Sequence, residues 1–430
     1  MKPIPKLKIA ALGGCGGMGA IAIQTLLKND HFFDEITVVD IDFDRANHFV
    51  QRCNDQRLHA KQMDITDKKA LYNLLKPIDI VINTVGPYYR LGLPVLKTAI
   101  DAKCNYIDLN DDWKPTVDML SLDSEAKQAG ITAVIGVGAS PGISNMLAVK
   151  AMNRLDEVEN LITGWGSGGK RLPYLFWANQ ASSGGSYGAA IDHLLKQLTG
   201  KICIRKDNQF QDCTPFQKQS IHYPESGLIH AYTVGHPEPV TLPRFRPEIR
   251  NSINVMNLPD FLIKTLQWTV SQIQDGQLTH TTGAELLTKI ESDLKVIFLN
   301  AKGRQFAMNM IQNGLNISNQ LLWRTLRDII YPGTYLPELF AIAKGIKEGQ
   351  PLTVYSRLTS GIAGNSGLET MAALTGVPLA VGLSIIANHN CKKGVLTPEM
   401  AFHPDIFFDR LAPLCHPKRN SKDDLLKIDT

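Results

Sequence analysis

Among the 430 residues there is no CxxC pair: Cys15, Cys53, Cys104, Cys203, Cys213, Cys391 and Cys415 are scattered and odd in number. That pattern argues against a disulfide framework and a cysteine zinc site and fits a reducing compartment. No metal is expected. No apolar run approaches the roughly 20 residues that span a bilayer; the longest, Val377 to Ala387, reads as a buried helix, so no integral membrane segment is expected. Lys/Arg stripes are also missing, the net charge of +4 being spread along the chain, and no nucleic-acid partner is expected. Because Met1 to Lys6 lead at once into an apolar strand, no signal peptide is expected and the expected location is cytoplasmic. What remains is an ordinary globular composition, 44% hydrophobic and 20% charged, long enough for two or three domains. A small-molecule substrate is the default partner. Two amphipathic segments, Asp260 to Gln274 and Phe306 to Ile330, read as core or subunit-interface helices.

The most informative segment is Leu7 to Gly19, where a short apolar strand runs straight into Gly14-Cys15-Gly16-Gly17-Met18-Gly19. In a strand–turn–helix unit the first glycine of GxGxxG makes the tight turn, the second admits a pyrophosphate to the backbone, and the third lets helix and strand pack closely. An apolar helix over Ala20 to Leu27 follows, then the β-branched run Ile36 to Asp40, closing on a carboxylate 26 residues beyond Gly14. That is near the spacing at which an acid meets the adenosine ribose hydroxyls. A methyltransferase loop would normally follow an acidic strand, whereas Ala10, Ala11 and Leu12 stand here. Asp40 repels a 2′-phosphate, and Ile41 and Asp42 rather than Arg follow it. NAD is therefore expected over NADP, with Arg45 the nearby cation that leaves NADP open.

The first third alternates strand and helix patterns: a helix over Asp44 to Cys53, a strand at His59 to Met63, a helix over Lys68 to Leu75, and the strand Ile78 to Asn83. Thr84 to Tyr89 break that strand. A helix over Pro94 to Ala102, the strand Tyr106 to Asp108, a helix over Val117 to Ala129 and the strand Ile131 to Val137 complete six strands. This rhythm predicts an α/β, doubly wound parallel sheet whose ligands lie beyond the carboxyl ends of its strands. The loops carrying Gly86, Pro87, Asp108 and Ser140 are candidate site loops by position. From Gly138 the texture changes to glycine- and aromatic-rich pieces, including Leu161 to Trp165, Tyr174 to Ala178, Ala189 to Leu198, Gly227 to Gly235 and Thr353 to Leu358, which form a second domain. Within it, residues 258–347 read mostly as an insertion of about three helices. Thr370 to Asn388 reads as a helix too apolar to be exposed, and the polar tail beyond Pro417 is expected to be disordered.

Four separated stretches together resemble the saccharopine dehydrogenase-like oxidoreductases, a family that includes saccharopine reductase and carboxynorspermidine dehydrogenase. They are Gly14 to Gly19; Asn83-Thr84-Val85-Gly86-Pro87-Tyr88; Tyr106-Ile107-Asp108 with Ala139-Ser140-Pro141-Gly142-Ile143; and Gly394 to Glu399 with Pro404 to Phe408. The resemblance implies a Rossmann domain over residues 1–140, completed by 366–430, with residues 141–365 inserted as an α+β substrate and dimerisation domain. It implies a nicotinamide cofactor, a homodimer, and hydride transfer at a C–N bond, by imine reduction or secondary-amine oxidation, of an amino-acid- or polyamine-like substrate. A different C=N or C=C bond, even a lipid-like one, and a non-catalytic dinucleotide-binding protein are the alternatives.

By the same resemblance Gly14 to Gly19, Asn83, Val85, Gly86 and Pro87 hold the cofactor, and Asp64 with Ile65 lies beside the adenine, unless Asp64 caps the helix at Lys68. The saccharopine reductases typically carry Gly-x-Asp-Pro-Gly where this chain has Ser140 and Pro141. A neutral hydroxyl cannot match an ammonium's charge, so saccharopine is not the expected substrate. Tyr88 is a candidate proton donor and Tyr89 a candidate substrate contact, with wall or core roles as their alternatives. Asp108 is a candidate to orient a substrate amine, or a structural acceptor. His236, in a loop rich in Pro and Gly, is the histidine best suited to exchange a proton near neutral pH. Arg171, Arg244 and Arg246 are candidate clamps for a substrate carboxylate.

Overall fold

The computed structural model describes residues 6–166, 187–224, 226–299, 335–364, 369–388 and 391–430. A seven-stranded, wholly parallel sheet runs in the order Gly394–Leu396, Thr132–Val134, Asn105–Asp108, Ile80–Asn83, Leu7–Leu12, Phe33–Asp40 and Leu58–Gln62. Strand order reverses between Leu7–Leu12 and Ile80–Asn83, which opens a crevice at the carboxyl ends of those two strands.

Leu7–Leu12 is apolar because both its faces are covered. Ile9 and Ala11 enter one core with the helices Gly17–Asn29, Ile143–Met152 and Met371–Asn388, while Ala10 and Leu12 enter a second core with the helices Lys68–Leu75 and Tyr88–Asp101. Met371–Asn388 is long and apolar enough by length and composition to cross a bilayer, yet 72% of its most apolar window is buried. It lies so close to Gly17–Asn29 that a Cβ on Gly376 would stand 2.4 Å from the Met18 carbonyl oxygen.

A second, mixed sheet is ordered Lys218–Tyr223, Gly227–Thr233, Asn251–Asn257, Glu157–Gly166, Leu339–Lys347, Gln350–Leu358 and Leu426–Asp429, with the hairpin Ile202–Lys206 and Gln209–Cys213 attached to Asn251–Asn257. The helix Ile143–Met152 joins the two sheets and is buried on nearly every side. Its apolar residues pack with the first sheet and also with Leu161, Leu339, Ala341 and Val354 of the second. Its entry needs glycine: Gly142 has φ +122°, and a Cβ there would lie 2.1 Å from the Gly138 oxygen.

Several sequence expectations are corrected. The tail beyond Pro417 is ordered: Leu426–Asp429 pairs with Gln350–Leu358, Tyr355 opposite Asp429, because an edge strand offers its unpaired backbone groups to any extended segment. Within the expected helical insertion, Asp260–Gln274 and His280–Leu299 are helices, but Leu339–Lys347 is a central strand whose Leu339 to Ala343 are all buried. Residues 187–197 form a helix. The helix expected from Pro94 begins at Tyr88 and carries Pro94 inside it, and Val117 to Ala129 divide into Trp113–Leu120 and Asp123–Ala129. The expected piece at Tyr174 to Ala178 and the amphipathic segment from Phe306 to Ile330 lie outside the described residues.

Candidate active site

The glycine loop has distinct steric demands at each position. Gly13, not singled out in the sequence, has φ +68° and accepts the Gly16 N–H at 2.9 Å, closing the turn. A Cβ on Gly14 would stand 2.8 Å from Ala11 Cβ and Ile23 Cδ1, and one on Gly19 would stand 2.7 Å from Thr84 Oγ1 and 2.8 Å from the Gly13 oxygen. Those two glycines are required by packing between strand, turn and helix. Among the described residues a Cβ on Gly16 would meet only the Gly13 oxygen, at 3.1 Å, so the backbone there is open beside the N-terminus of Gly17–Asn29. Free N–H groups and the helix dipole favour an anion at that point. Gly17 and Met18 form the first turn. The residues present fit a dinucleotide pyrophosphate.

Asp40 ends its strand with one carboxylate oxygen accepting the Asp42 N–H at 3.1 Å and the other accepting the Cys15 thiol at 2.9 Å. Burial, reinforced by that bond to a carboxylate, pushes the Cys15 thiol up to about 12. Cys15 is therefore a neutral donor that steadies Asp40 at the place where the ribose hydroxyls would bind. Asp64 is exposed and accepts from the Thr66 backbone and hydroxyl at 2.9 and 2.7 Å. It does not cap the next helix, since Asp67 does so through the N–H groups of Lys69 and Ala70. Ile65, half-buried, packs on the neighbouring core. Gly86 is exposed, with no atom of the described residues within 4 Å of an added Cβ, and half-buried Val85 and Pro87 flank it.

Beneath this loop lies a closed polar network. Asn83 donates to the Tyr106 hydroxyl at 3.0 Å, and Tyr106 donates to Asp108 Oδ2 at 2.7 Å. Asp108 Oδ1 accepts the N–H groups of Gly136 and Asn110 at 2.7 and 3.0 Å. Tyr88 donates to the Asn83 carbonyl at 2.9 Å and accepts the Leu109 N–H at 3.3 Å. Burial pushes the Asp108 carboxyl up to about 6, although all three of its donors oppose that rise, and burial raises the Tyr88 phenol well above 10. Of the roles considered for Tyr88 and Asp108, this arrangement displays the structural one: both are buried and hydrogen-bonded inside the protein and tie the ends of three strands together.

The reactive groups gather one layer further out. Ser140, after the strand Thr132–Val134, donates to Glu238 Oε1 and lies 3.2 Å from His236 Nδ1. Ser144 donates to the same Glu238 oxygen at 2.6 Å, and Asn254, itself bonded to Thr163 at 3.0 Å, approaches Ser140 at 3.4 Å. Trp165 lies beside His236, ring centroids 6.3 Å apart. Asn145, on the same helix start, donates to Glu399 at 2.8 Å, and burial pushes the Glu399 carboxyl up to about 7. Next to this group His193 bridges Asp111 and Asp112 at 2.7 and 3.2 Å. Burial works against its charge, but the two carboxylates prevail and raise its pKa well above the usual value. The field of His236 also reaches Asp111. Ser140, Pro141 and His236 are thus brought together with Glu238, Asn254, Asp111, Asp112 and His193, none of which the sequence reading had assigned. The acidic pair after Asp108 and the carboxylate two residues beyond His236 were the visible signals.

At Ser140 a hydroxyl does stand in place of a carboxylate, but Glu238 brings a fully buried carboxylate to it from 98 residues away. Tyr89 is half exposed at the rim, its ring carrying the Lys196 ammonium at 5.5 Å. Arg244 is exposed, and among the described residues no hydrogen bond or ion pair ties it to the cluster; Arg246 pairs with Glu248 at 2.5 Å. Arg171 lies outside the described residues.

With this geometry in place, the likenesses to known proteins become interpretable. The family model of the saccharopine dehydrogenase NADP binding domain matches residues 9–134. That segment, less than a third of the chain, is similar to the NADP-binding domain of the saccharopine dehydrogenases. The chain is 20% identical over 420 residues to carboxyaminopropylagmatine dehydrogenase of Synechocystis sp., covering 94% of this chain and 95% of that one. It is 21% identical over 272 residues to carboxynorspermidine synthase of Vibrio cholerae, covering 55% and 60%, so the matched stretch spans less than two thirds of that relative. In fold it is similar to apo saccharopine dehydrogenase (L-Glu forming) of Saccharomyces cerevisiae, with TM-score 0.59 and 17% identity over 98% of this chain and 99% of that one. The glycine loop lies within the segment that matches the NADP binding domain, and the cluster around His236 stands where the carboxyl end of the parallel sheet meets the second sheet.

Proposed function

We propose that the chain transfers hydride at the C–N bond of an amino-acid- or polyamine-like substrate, reducing an imine or oxidising a secondary amine with NAD(P). One observation carries this reading: the glycine loop, the Gly86 turn, Asp111 and Ser140 all follow strands at the carboxyl end of one parallel sheet, where the second sheet brings His236 and Glu238 to Ser140. The names of the two bacterial relatives, both of which refer to carboxylated amines, support the substrate class.

Bound nicotinamide supplies the hydride donor or acceptor. The chain's own groups do the remaining work. Gly16 and the helix beginning at Gly17 hold the pyrophosphate, Asp40 takes the ribose hydroxyls in preference to a 2′-phosphate, and Gly86 leaves room above the turn. His236 exchanges the proton of the substrate nitrogen, since imidazole can give or take a proton near neutral pH. Glu238, Asp111 and Asp112 outnumber the His193 charge between them, so the cluster favours a cationic nitrogen over an anion. We further take the protein to be a cytoplasmic homodimer; sedimentation at several concentrations tests the dimer, and fractionation of the cells that make the protein tests the location. The activity is tested by nicotinamide absorbance with carboxynorspermidine, carboxyaminopropylagmatine and saccharopine, in the presence of NAD or NADP. Turnover of one of them is expected; a protein that binds dinucleotide but turns over none is not an amine dehydrogenase of this kind.

A further inference from the structure

The Ser140 hydroxyl has one proton and three polar neighbours. It makes a very short contact with Glu238 Oε1, stands 3.2 Å from His236 Nδ1, and has Asn254 Nδ2 at 3.4 Å. A carboxylate can only accept, and an amide nitrogen can only donate. The single Ser140 proton is therefore committed to Glu238, and toward His236 the hydroxyl has only lone pairs to offer. For that 3.2 Å contact to be a hydrogen bond, the proton must sit on Nδ1 of the imidazole. A neutral imidazole with Nδ1–H carries its lone pair on Nε2.

We propose that Glu238, acting through Ser140, holds His236 in the Nδ1–H tautomer and so makes Nε2 the atom that takes the proton of the substrate nitrogen. This rests on the reading of the site as one that works at a C–N bond, but the tautomer is a property of the free protein. Ser140 and Glu238 are positioning residues; His236 is the catalytic one. In amine oxidation the substrate N–H bond breaks and its proton passes to Nε2, leaving an imidazolium with N–H at both ring positions. In imine reduction the same Nε2–H is returned to nitrogen.

Three further features fit this arrangement. Glu238 is fully buried, and its second oxygen, Oε2, has no hydrogen-bond donor among the described residues but lies 3.7 Å from the same Nδ1. The negative charge is thus placed on the Nδ1 side, where it stabilises the imidazolium as the proton arrives at Nε2. Ser144 adds its own hydrogen bond at 2.6 Å to the oxygen that receives Ser140, anchoring the carboxylate. Asn254 is fixed by Thr163, and its Nδ2 faces the Ser140 oxygen, which discourages Ser140 from reversing its proton. The hydroxyl that seemed a lost charge is a connector between a carboxylate and an imidazole supplied by one Pro-rich loop.

The experiment is long-range ¹⁵N–¹H correlation of the histidine rings in the full-length, ¹⁵N-labelled protein, at a pH where His236 is neutral, with its signals identified by their loss in His236→Asn. The wild-type protein is expected to show the Nδ1–H pattern. In Glu238→Gln the amide donates to Ser140, which then turns its proton toward Nδ1, so the ring should change to Nε2–H. Ser140→Ala should lose the Nδ1–H preference, while Ser140→Thr, which keeps the hydroxyl, should retain it. Thermal unfolding and dinucleotide binding establish that each variant is folded, and should Glu238→Gln fail to fold, the Ser140 pair decides. An Nε2–H pattern in the wild type, or an unchanged pattern in folded Glu238→Gln or Ser140→Ala, overturns the assignment. Because no substrate is present, absence of amine turnover leaves these spectra as they are, and the two proposals fail separately.

Discussion

The dinucleotide loop and the cluster around His236 occupy the same edge of the same sheet but are assembled in opposite ways. The loop is a matter of backbone. Gly13 to Gly19 close on themselves through the Gly16–Gly13 hydrogen bond and take further hydrogen bonds from the adjoining strand ends, at Ala11, Val39, Asp40 and Thr84. The cluster is a matter of side chains, drawn from the ends of strands and helices up to 114 residues apart for the bond between Asn254 and Ser140. A site made of missing side chains tolerates no atoms added toward the ligand, whereas a site made of side chains tolerates isosteric changes in shape but not in proton or charge.

That difference can be broken open by experiment. The largest effect is expected in the cluster: with whichever amine probe turns over, His236→Asn should lower kcat about 10³-fold, within the range for loss of a general acid or base, while dinucleotide affinity is unchanged. A parallel loss of dinucleotide affinity would mean that the two regions are not separable. In the loop, Gly16→Val should weaken dinucleotide binding by at least about 100-fold, equivalent to about 2.7 kcal/mol, with the fold retained because the added Cβ meets only one carbonyl. Gly19→Val, crowded by backbone on two sides, should instead lower thermal stability. Calorimetry and thermal unfolding of the two variants distinguish a ligand glycine from a packing glycine.

The third effect concerns the latch between the regions. His193 sits between Asp111 and Asp112, and its folded-state pKa is raised. A raised pKa contributes stability that is fully present below the unfolded value of about 6.5 and is lost as pH rises through the folded value. His193→Gln should therefore cost about 2 kcal/mol near pH 6, and the gap to wild type should shrink as the pH becomes alkaline. A gap that widens with pH would contradict the ion pair. The smallest effect is in cofactor choice: Asp40 should favour NAD over NADP, and Asp40→Asn should shift the ratio of dissociation constants toward NADP by about tenfold, since one half-buried charge near a phosphate is worth about 1.4 kcal/mol. Tighter NADP binding by the unmodified protein would place control of the pocket with Arg45.

How much of this was legible in the sequence follows the same division. The parallel sheet was readable because its strands are short apolar runs and its helices begin and end at recognisable breaks; Lys68 to Leu75 has the same bounds in both. The C-terminal strand was not, because the alternation Leu426-Lys427-Ile428-Asp429 is only four residues long, too short to mark a strand before it pairs with Gln350–Leu358. Leu339 to Lys347 was missed for the converse reason. Its apolar run suits a helix or a strand equally, and only the flanking strands choose.

The sequence by itself determined the glycine turn, the acidic strand end at Asp40 and the alternation that makes a doubly wound sheet, since each depends on neighbours a few residues away. Tertiary structure alone decided that Tyr88 and Asp108 are bound up in a closed network, that His193 is held between two carboxylates, and that Glu238 reaches Ser140. Those outcomes depend on which side chains the folded chain places within hydrogen-bond distance, where a displacement of an ångström or two creates or removes the bond. Local sequence patterns carry no such distance between segments a hundred residues apart. Burial then sets the chemistry: once the helix Ile143–Met152 has docked between the two sheets, a carboxylate beside it has no water to turn to and must take its partners from the side chains that arrive with it.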